Sequence, residues 1–230
     1  MKKKKETFTD SLITHNSPKS VISEKFRGIR TNIMFSTAGN DVKTLVITSE
    51  QPTVGKSLVS ANIAIAYAQA GYKTLLIDGD MRKPTQHYIF NVPNIDGLSN
   101  LIINKSYIEK AVNNTEVTSL DLITSGPIPP NPSELIGSLQ FQKLLEELNE
   151  IYDFIIIDTP PVNTVTDAQL YAEISGYVAL VVNVKNNDRR SVLKSKELIQ
   201  KTGAKVLGVV LNKTDQDKSS SYYAYYGEEQ

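Results

Sequence analysis

Cysteine is absent from the 230 residues, which excludes disulfides, thiolate metal sites and cysteine nucleophiles together. That suits a reducing cytoplasm, although many secreted bacterial proteins also lack cysteine. Long apolar runs are missing as well: nothing approaches the roughly 18 residues that a membrane-spanning helix needs. The start, Met1 followed by Lys2 to Lys5, is basic but leads into Glu-Thr-Phe-Thr-Asp, not into the apolar centre of a secretory signal. An excess of either charge is lacking too, with 25 Lys and Arg against 25 Asp and Glu, so no broad field draws the chain to nucleic acid. The expectation is a cytoplasmic protein that works without nucleic acid.

What is present is the composition of one soluble α/β domain with short extensions. Residues 1–19 are polar without a clear period and are expected to be a flexible arm; residues 20–214 form the domain and 215–230 a flexible tail. Ile22, Phe26, Ile29, Ile33 and Met34 recur at helical spacing from Ser20 onward. Apolar strands are predicted at residues 42–48, 73–77, 120–124, 154–157, 177–183 and 205–211. Helices are predicted between them at 56–70, closed by Gly71, at 133–151, and from about Asp167 and Arg190. Buried strands alternating with helices predict a mostly parallel sheet covered on both faces.

At the first strand–helix junction stands Thr48-Ser-Glu-Gln-Pro-Thr-Val-Gly-Lys-Ser57. Turn amides and a helix N-terminus there make a nest for phosphate oxygens, so Thr53, Val54, Gly55, Lys56, Ser57 and Leu58 are candidates to hold ATP. Lys56 would reach the β/γ phosphates and the Ser57 hydroxyl would ligate Mg²⁺. Glu50 replaces the first glycine of the usual pattern, and Thr53 stands where such loops often carry another. The strand at 73–77 ends in Asp78-Gly-Asp80-Met-Arg82, and the strand at 154–157 ends in Asp158-Thr-Pro-Pro. Ligands bind beyond the carboxyl ends of parallel strands, so the three segments converge on one edge.

Together these motifs resemble the bacterial tyrosine kinases (BY-kinases), P-loop proteins of the type serving capsule synthesis in Gram-positive bacteria. The modified Walker A pattern matches residues 47–57, Walker A′ residues 75–82 and Walker B residues 155–161. Pro129-Pro-Asn-Pro-Ser-Glu-Leu135 and Glu24-x-x-Arg27-x-x-Arg30 also match, and the likeness covers about residues 20–230. The resemblance implies Mg·ATP with Ser57 and Asp158 in or near the metal shell and Asp80 behind it. Asp78 would orient or deprotonate a tyrosine hydroxyl, Lys56 would neutralise the transferring phosphoryl, and Arg82, a candidate nucleotide-binding residue, would support the site or a subunit contact. Asn212 stands where related nucleotide-binding proteins place an adenine-contacting residue, or is simply a turn cap.

The last twelve residues hold Tyr222, Tyr223, Tyr225 and Tyr226 among Ser, Gly and Glu. The resemblance makes them autophosphorylation sites. It also implies a ring of subunits assembled through Glu24, Arg27 and Arg30, where the bland alternative is a charged solvated face. A transmembrane activator would recruit the chain to the inner face of the membrane through its cytoplasmic tail, and enzymes of sugar-nucleotide and capsule synthesis would be substrates. The competing reading is a partitioning-type ATPase switch, which has a lysine where this chain has Gln51 and no use for the tail tyrosines.

Overall fold

The computed structural model describes residues 11–40 and 42–214. Seven strands form one sheet: β1 (Thr44–Ser49), β2 (Thr74–Asp78), β3 (Val112–Asn114), β4 (Leu120–Ile123), β5 (Phe154–Asp158), β6 (Tyr177–Asn183) and β7 (Lys205–Asn212). Their order is β3-β4-β2-β5-β1-β6-β7, and every pairing is parallel except β3 with β4. The mostly parallel sheet predicted from the apolar runs is therefore present. The central strands β1, β2 and β5 are buried along their whole length, the consequence of helices on both faces.

The helices are α1 (Ile13–Asn16), α2 (Val21–Ser36), α3 (Lys56–Ala68), α4 (Gln86–Ile89), α5 (Leu98–Ile102) and α6 (Ile108–Ala111). They continue with α7 (Pro132–Ile136), α8 (Leu139–Ile151), α9 (Asp167–Ser175) and α10 (Arg189–Gln200). On one face α3 lies against the sheet, and its alanines at 61, 64, 66 and 68 let it be covered in turn by α1 and α2. On the other face α8, α9 and α10 enclose Phe141, Leu148, Tyr171 and Ile199. Each such side chain withdrawn fully from water contributes about 1.5–3 kcal/mol.

Several expectations change. The helix predicted over 133–151 is two helices, because Ser138 caps a new one: its Oγ accepts from the Phe141 N–H at 3.3 Å. Ser11 to Asn16, expected in a flexible arm, dock instead. Asn62 Oδ1 accepts from Thr14 N–H at 2.9 Å, Asn62 Nδ2 donates to Ser11 O, and Gln69 Nε2 donates to Thr14 O. Asn62 of α3 and Gln69, the residue that follows that helix, thereby satisfy backbone that would otherwise be buried unpaired. Within α2, Ile33 is buried while Ile22 and Met34 stay exposed, so the apolar stripe is narrower than its periodicity implied.

Candidate functional site

The carboxyl ends of β1, β2 and β5 place three sequence motifs side by side. Asp78 and Asp158 are direct register partners across the β2–β5 ladder, and Ile47 of β1 is paired with Asp158 on its other flank. After β1 the chain turns through residues 50–55 and enters α3 at Lys56. Gly55 makes that turn at φ +90°, and a Cβ added there would lie 2.4 Å from Asn212 Nδ2. Glycine is thus required twice, for the left-handed backbone and for the close approach of β7. Thr53 also sits at positive φ, +62°, so a β-branched residue occupies a conformation that glycine adopts without strain.

Lys56 and Asp158 form an ion pair with almost no exposed side-chain surface. Asp158 also accepts from Ser60 Oγ at 3.1 Å and from Gln86 Nε2 at 2.9 Å. The Lys56 ammonium lies 3.3 Å from Ser57 Oγ, joining the lysine, the hydroxyl and the Walker B carboxylate in one cluster. Asp78 is equally buried; its Oδ2 accepts from the Thr85 and Gln86 N–H groups at 2.9 Å, and its Oδ1 from Asp80 N–H at 3.3 Å. Burial, then the adjacent Asp158, push the Asp78 carboxyl up to about 7. Asp80 is raised by burial as well, and accepts from Lys83 N–H at 3.0 Å. Gly79 between the two aspartates donates to Asp158 O at 2.8 Å, and a Cβ there would meet Ile157, Asp158 and Tyr171 within about 3 Å.

The residues expected to act together are therefore brought together: Lys56, Ser57, Asp78, Asp80 and Asp158 line one edge. Asn212 joins them, but through the phosphate loop, its Nδ2 donating to Val54 O at 2.7 Å, while Lys213 Nζ donates to Thr53 O at 2.8 Å. Val54 is buried, and Leu58 packs against the core of the α3 face. Arg82 is committed elsewhere. Its guanidinium clamps the fully buried Asp167 with bonds of 2.8 and 2.9 Å and reaches Ser133 Oγ at 3.1 Å, so it ties the site's rim to α7 and α9. Arg30 donates to Ala66 O at 2.8 Å within its own chain, and Arg27 pairs with Glu24 and with Pro18 O. Tyr222, Tyr223, Tyr225 and Tyr226 lie outside the described residues.

Two buried polar residues at this edge were not among the expected site residues. Glu50 is 2% exposed and burial raises its carboxyl pKa. Gln86 touches Ser57, Asp78 and Asp158 alike. Nothing but its place four residues after Arg82 pointed to it, and a lone glutamine carries no periodic signal.

The donor set fits Mg·ATP. No three His, Asp or Glu side chains among the described residues converge to hold a metal by themselves. Magnesium bound between nucleotide phosphates asks for one or two carboxylates and a hydroxyl, which Asp158, Asp80 and Ser57 supply. The glycine-turned cradle at the start of α3, which a Cβ on Gly55 would fill, suits phosphate oxygens.

Comparison with known proteins agrees with this geometry. A family profile described as "AAA domain" matches residues 42–205. A CapB protein of Staphylococcus aureus is 60% identical over 229 residues, covering 100% of both chains. The tyrosine-protein kinase YwqD of Bacillus subtilis is 41% identical over 94% of this chain and 91% of its own. The crystal structure of the chimerical protein CapA2B2 superposes with a TM-score of 0.87 at 61% identity, over 90% of this chain and 91% of that one.

Proposed function

The chain belongs to the bacterial tyrosine-kinase family, and we propose that it transfers the γ-phosphoryl group of ATP to tyrosine hydroxyls, its own C-terminal cluster first. The observation that carries the reading is the convergence of Lys56, Ser57, Asp78, Asp80 and Asp158 on one sheet edge. The strand that leads to the tyrosine cluster ends at the same edge, with Asn212 and Lys213 bonded to the phosphate loop. A partitioning-type switch would leave that tail without a task.

When bound, Mg·ATP supplies the phosphoryl group and a divalent charge. Ser57 and Asp158 would hold the metal, with Asp80 acting on it through water. Lys56 would leave Asp158 to neutralise the transferring phosphoryl. Asp78 orients the incoming tyrosine hydroxyl and takes up its proton as charge develops; its raised pKa suits a base working near neutrality. Two of its three backbone N–H bonds fall on Oδ2, which leaves Oδ1, with a single N–H at 3.3 Å, the acceptor capacity for that role. Positioning and electrostatics carry phosphoryl transfer, and this site is built of both.

The tail of one subunit would enter the site of the next in a ring built on α2, where Glu24 and Arg27 are exposed enough to trade their mutual ion pair for a neighbour. Each phosphotyrosine adds about −1.5 to −2 charges at neutral pH, enough to loosen such a ring. A transmembrane activator would hold the assembly at the membrane, and capsular polysaccharide synthesis would be the process regulated. No helix among the described residues is long and apolar enough to cross a membrane itself.

The test is phosphotyrosine mapping by mass spectrometry after incubating the chain with Mg·ATP and the activator's cytoplasmic segment. Phosphate on Tyr222 to Tyr226, absent from Lys56→Met alone, is the expected result. Mixing Lys56→Met with an active chain that lacks the tail should phosphorylate the inactive partner. Nucleotide binding without any phosphotyrosine would reject the kinase assignment in favour of a switch.

A further inference from the structure

Gln86 is fully buried at the meeting point of all three nucleotide motifs. Its backbone N–H donates to Asp78 Oδ2 at 2.9 Å, and its side-chain Nε2 donates to Ser57 O at 3.0 Å and to Asp158 Oδ2 at 2.9 Å. Both side-chain partners are acceptors, so the carboxamide nitrogen must face them and Oε1 must point away. That Oε1 is buried and accepts no hydrogen bond among the described residues.

Counting hydrogens separates Gln86 from the other groups on Asp158. Ser60 Oγ owns one hydrogen and lies 3.0 Å from Lys56 O and 3.1 Å from Asp158 Oδ1, so the two acceptors compete for it. Lys56 must turn toward phosphate charge if the proposed function holds, and its ion pair with Asp158 is then given up. The Gln86 amide has two hydrogens for two acceptors and no competing claim. It keeps its hold on Asp158 Oδ2 while the lysine leaves.

We infer that Gln86 is a positioning residue for the divalent cation: its carboxamide holds the Asp158 carboxylate and the Ser57 segment at a fixed separation. The inference rests on the nucleotide-site reading and adds to it the group that sets metal affinity. Outer-shell partners of metal ligands typically govern 10- to 100-fold in affinity.

The experiment is calorimetric titration of the full chain with ADP, once in Mg²⁺ and once in EDTA, for the wild type and Gln86→Met. The quantity of interest is the gain in ADP affinity due to magnesium. Gln86→Met should reduce that gain by about tenfold or more, while ADP affinity in EDTA stays within about twofold of the wild type. An unchanged magnesium gain overturns the inference. Equal losses with and without magnesium also overturn it, because Gln86 would then only brace the phosphate loop. If Gln86→Met does not fold, Gln86→Ser, too short to reach both acceptors, is judged by the same two outcomes. Failure of the wild type to bind ADP at all would instead remove the nucleotide site, a result distinguishable from either.

Discussion

Asp78 and Asp158 stand opposite each other as register partners on β2 and β5, both without exposed surface, and one ammonium, that of Lys56, is ion-paired to the second. Two buried carboxylates served by one cation do not both ionise at neutral pH without penalty, which is why burial and Asp158 together raise Asp78 to about 7. In the folded chain Asp78 therefore keeps a proton that the unfolded chain releases near its ordinary value of 3.8. The stabilisation is complete below that value and is lost as pH rises through about 7. Urea unfolding of the wild type should show stability declining from pH 5 to pH 8 relative to Asp78→Asn, with a slope of at most about 1.4 kcal/mol per pH unit. Parallel profiles for the two proteins would mean that Asp78 does not titrate in this window.

Lys56→Met should do two separable things. Phosphotyrosine formation should vanish, because no cation remains for the transferring group. The fold should also lose about 3 kcal/mol at pH 8, since a buried carboxylate is left without its ion-pair partner. The loss should shrink at pH 5, where Asp78 holds its proton and the missing ammonium no longer serves a second carboxylate. Circular-dichroism melts at the two pH values check this, and an equal loss at both would show that the methionine merely packs badly.

The edge where these groups meet was legible because each arrives on an apolar run that stops at a polar residue: Leu75-Leu-Ile-Asp78 and Ile155-Ile-Ile-Asp158 announce both strand and site. The junction from β1 through Gly55 to α3 was legible for the same reason. Helices α4, α5 and α6 have four or five residues each, too few for a period, and the two-residue break at Gly137-Ser138 interrupts an otherwise continuous helical pattern. The docking of Ser11 to Asn16 depends on Asn62 and Gln69, about fifty residues away, and no local pattern encodes it. Arg82 illustrates the remaining limit. Its place in a nucleotide motif suggested a nucleotide role, but the partner that claims its guanidinium, Asp167, stands 85 residues on.

Thr53 holds φ +62° in the phosphate loop, with Lys213 Nζ on its carbonyl. The left-handed conformation costs a residue with a Cβ about 1–2 kcal/mol, whereas glycine would cost about 0.5–1 kcal/mol in chain entropy. Thr53→Gly should therefore stabilise the fold by up to about 1 kcal/mol and raise the melting temperature by roughly 2–4 °C. Because the loop already has this shape, ADP affinity should change less than about twofold on a difference this small. A lower melting temperature would show that the threonine side chain contributes more than its backbone costs. Gly55→Ala should be far worse, since its Cβ would meet Asn212 Nδ2 at 2.4 Å on top of a φ of +90°. Adding Asn212→Ala should relieve the contact and leave the backbone strain, giving partial recovery.

Arg82 and Asp167 supply the last prediction. Asp167 is fully buried at the start of α9, and it is held by the two Arg82 bonds and by Ser133 Oγ at 2.8 Å. Removing the guanidinium leaves a buried carboxylate with one hydroxyl, and breaking such a pair costs about 3–5 kcal/mol when both partners are buried. The Arg82 side chain is 39% exposed, so solvent screens part of the interaction and a loss below that range, about 2–3 kcal/mol, is expected for Arg82→Ala. Arg82→Lys can restore the charge but not the planar two-point contact, and should recover less than half of the loss. Asp167→Asn in the Arg82→Ala background should restore stability, because a neutral amide needs no counter-ion there. If Arg82 instead contacted nucleotide, Arg82→Ala would weaken ADP binding with little change in unfolding free energy, and Asp167→Asn would not rescue it. Urea unfolding and ADP titration of the same three proteins distinguish a clamp on α9 from a hand on the phosphates.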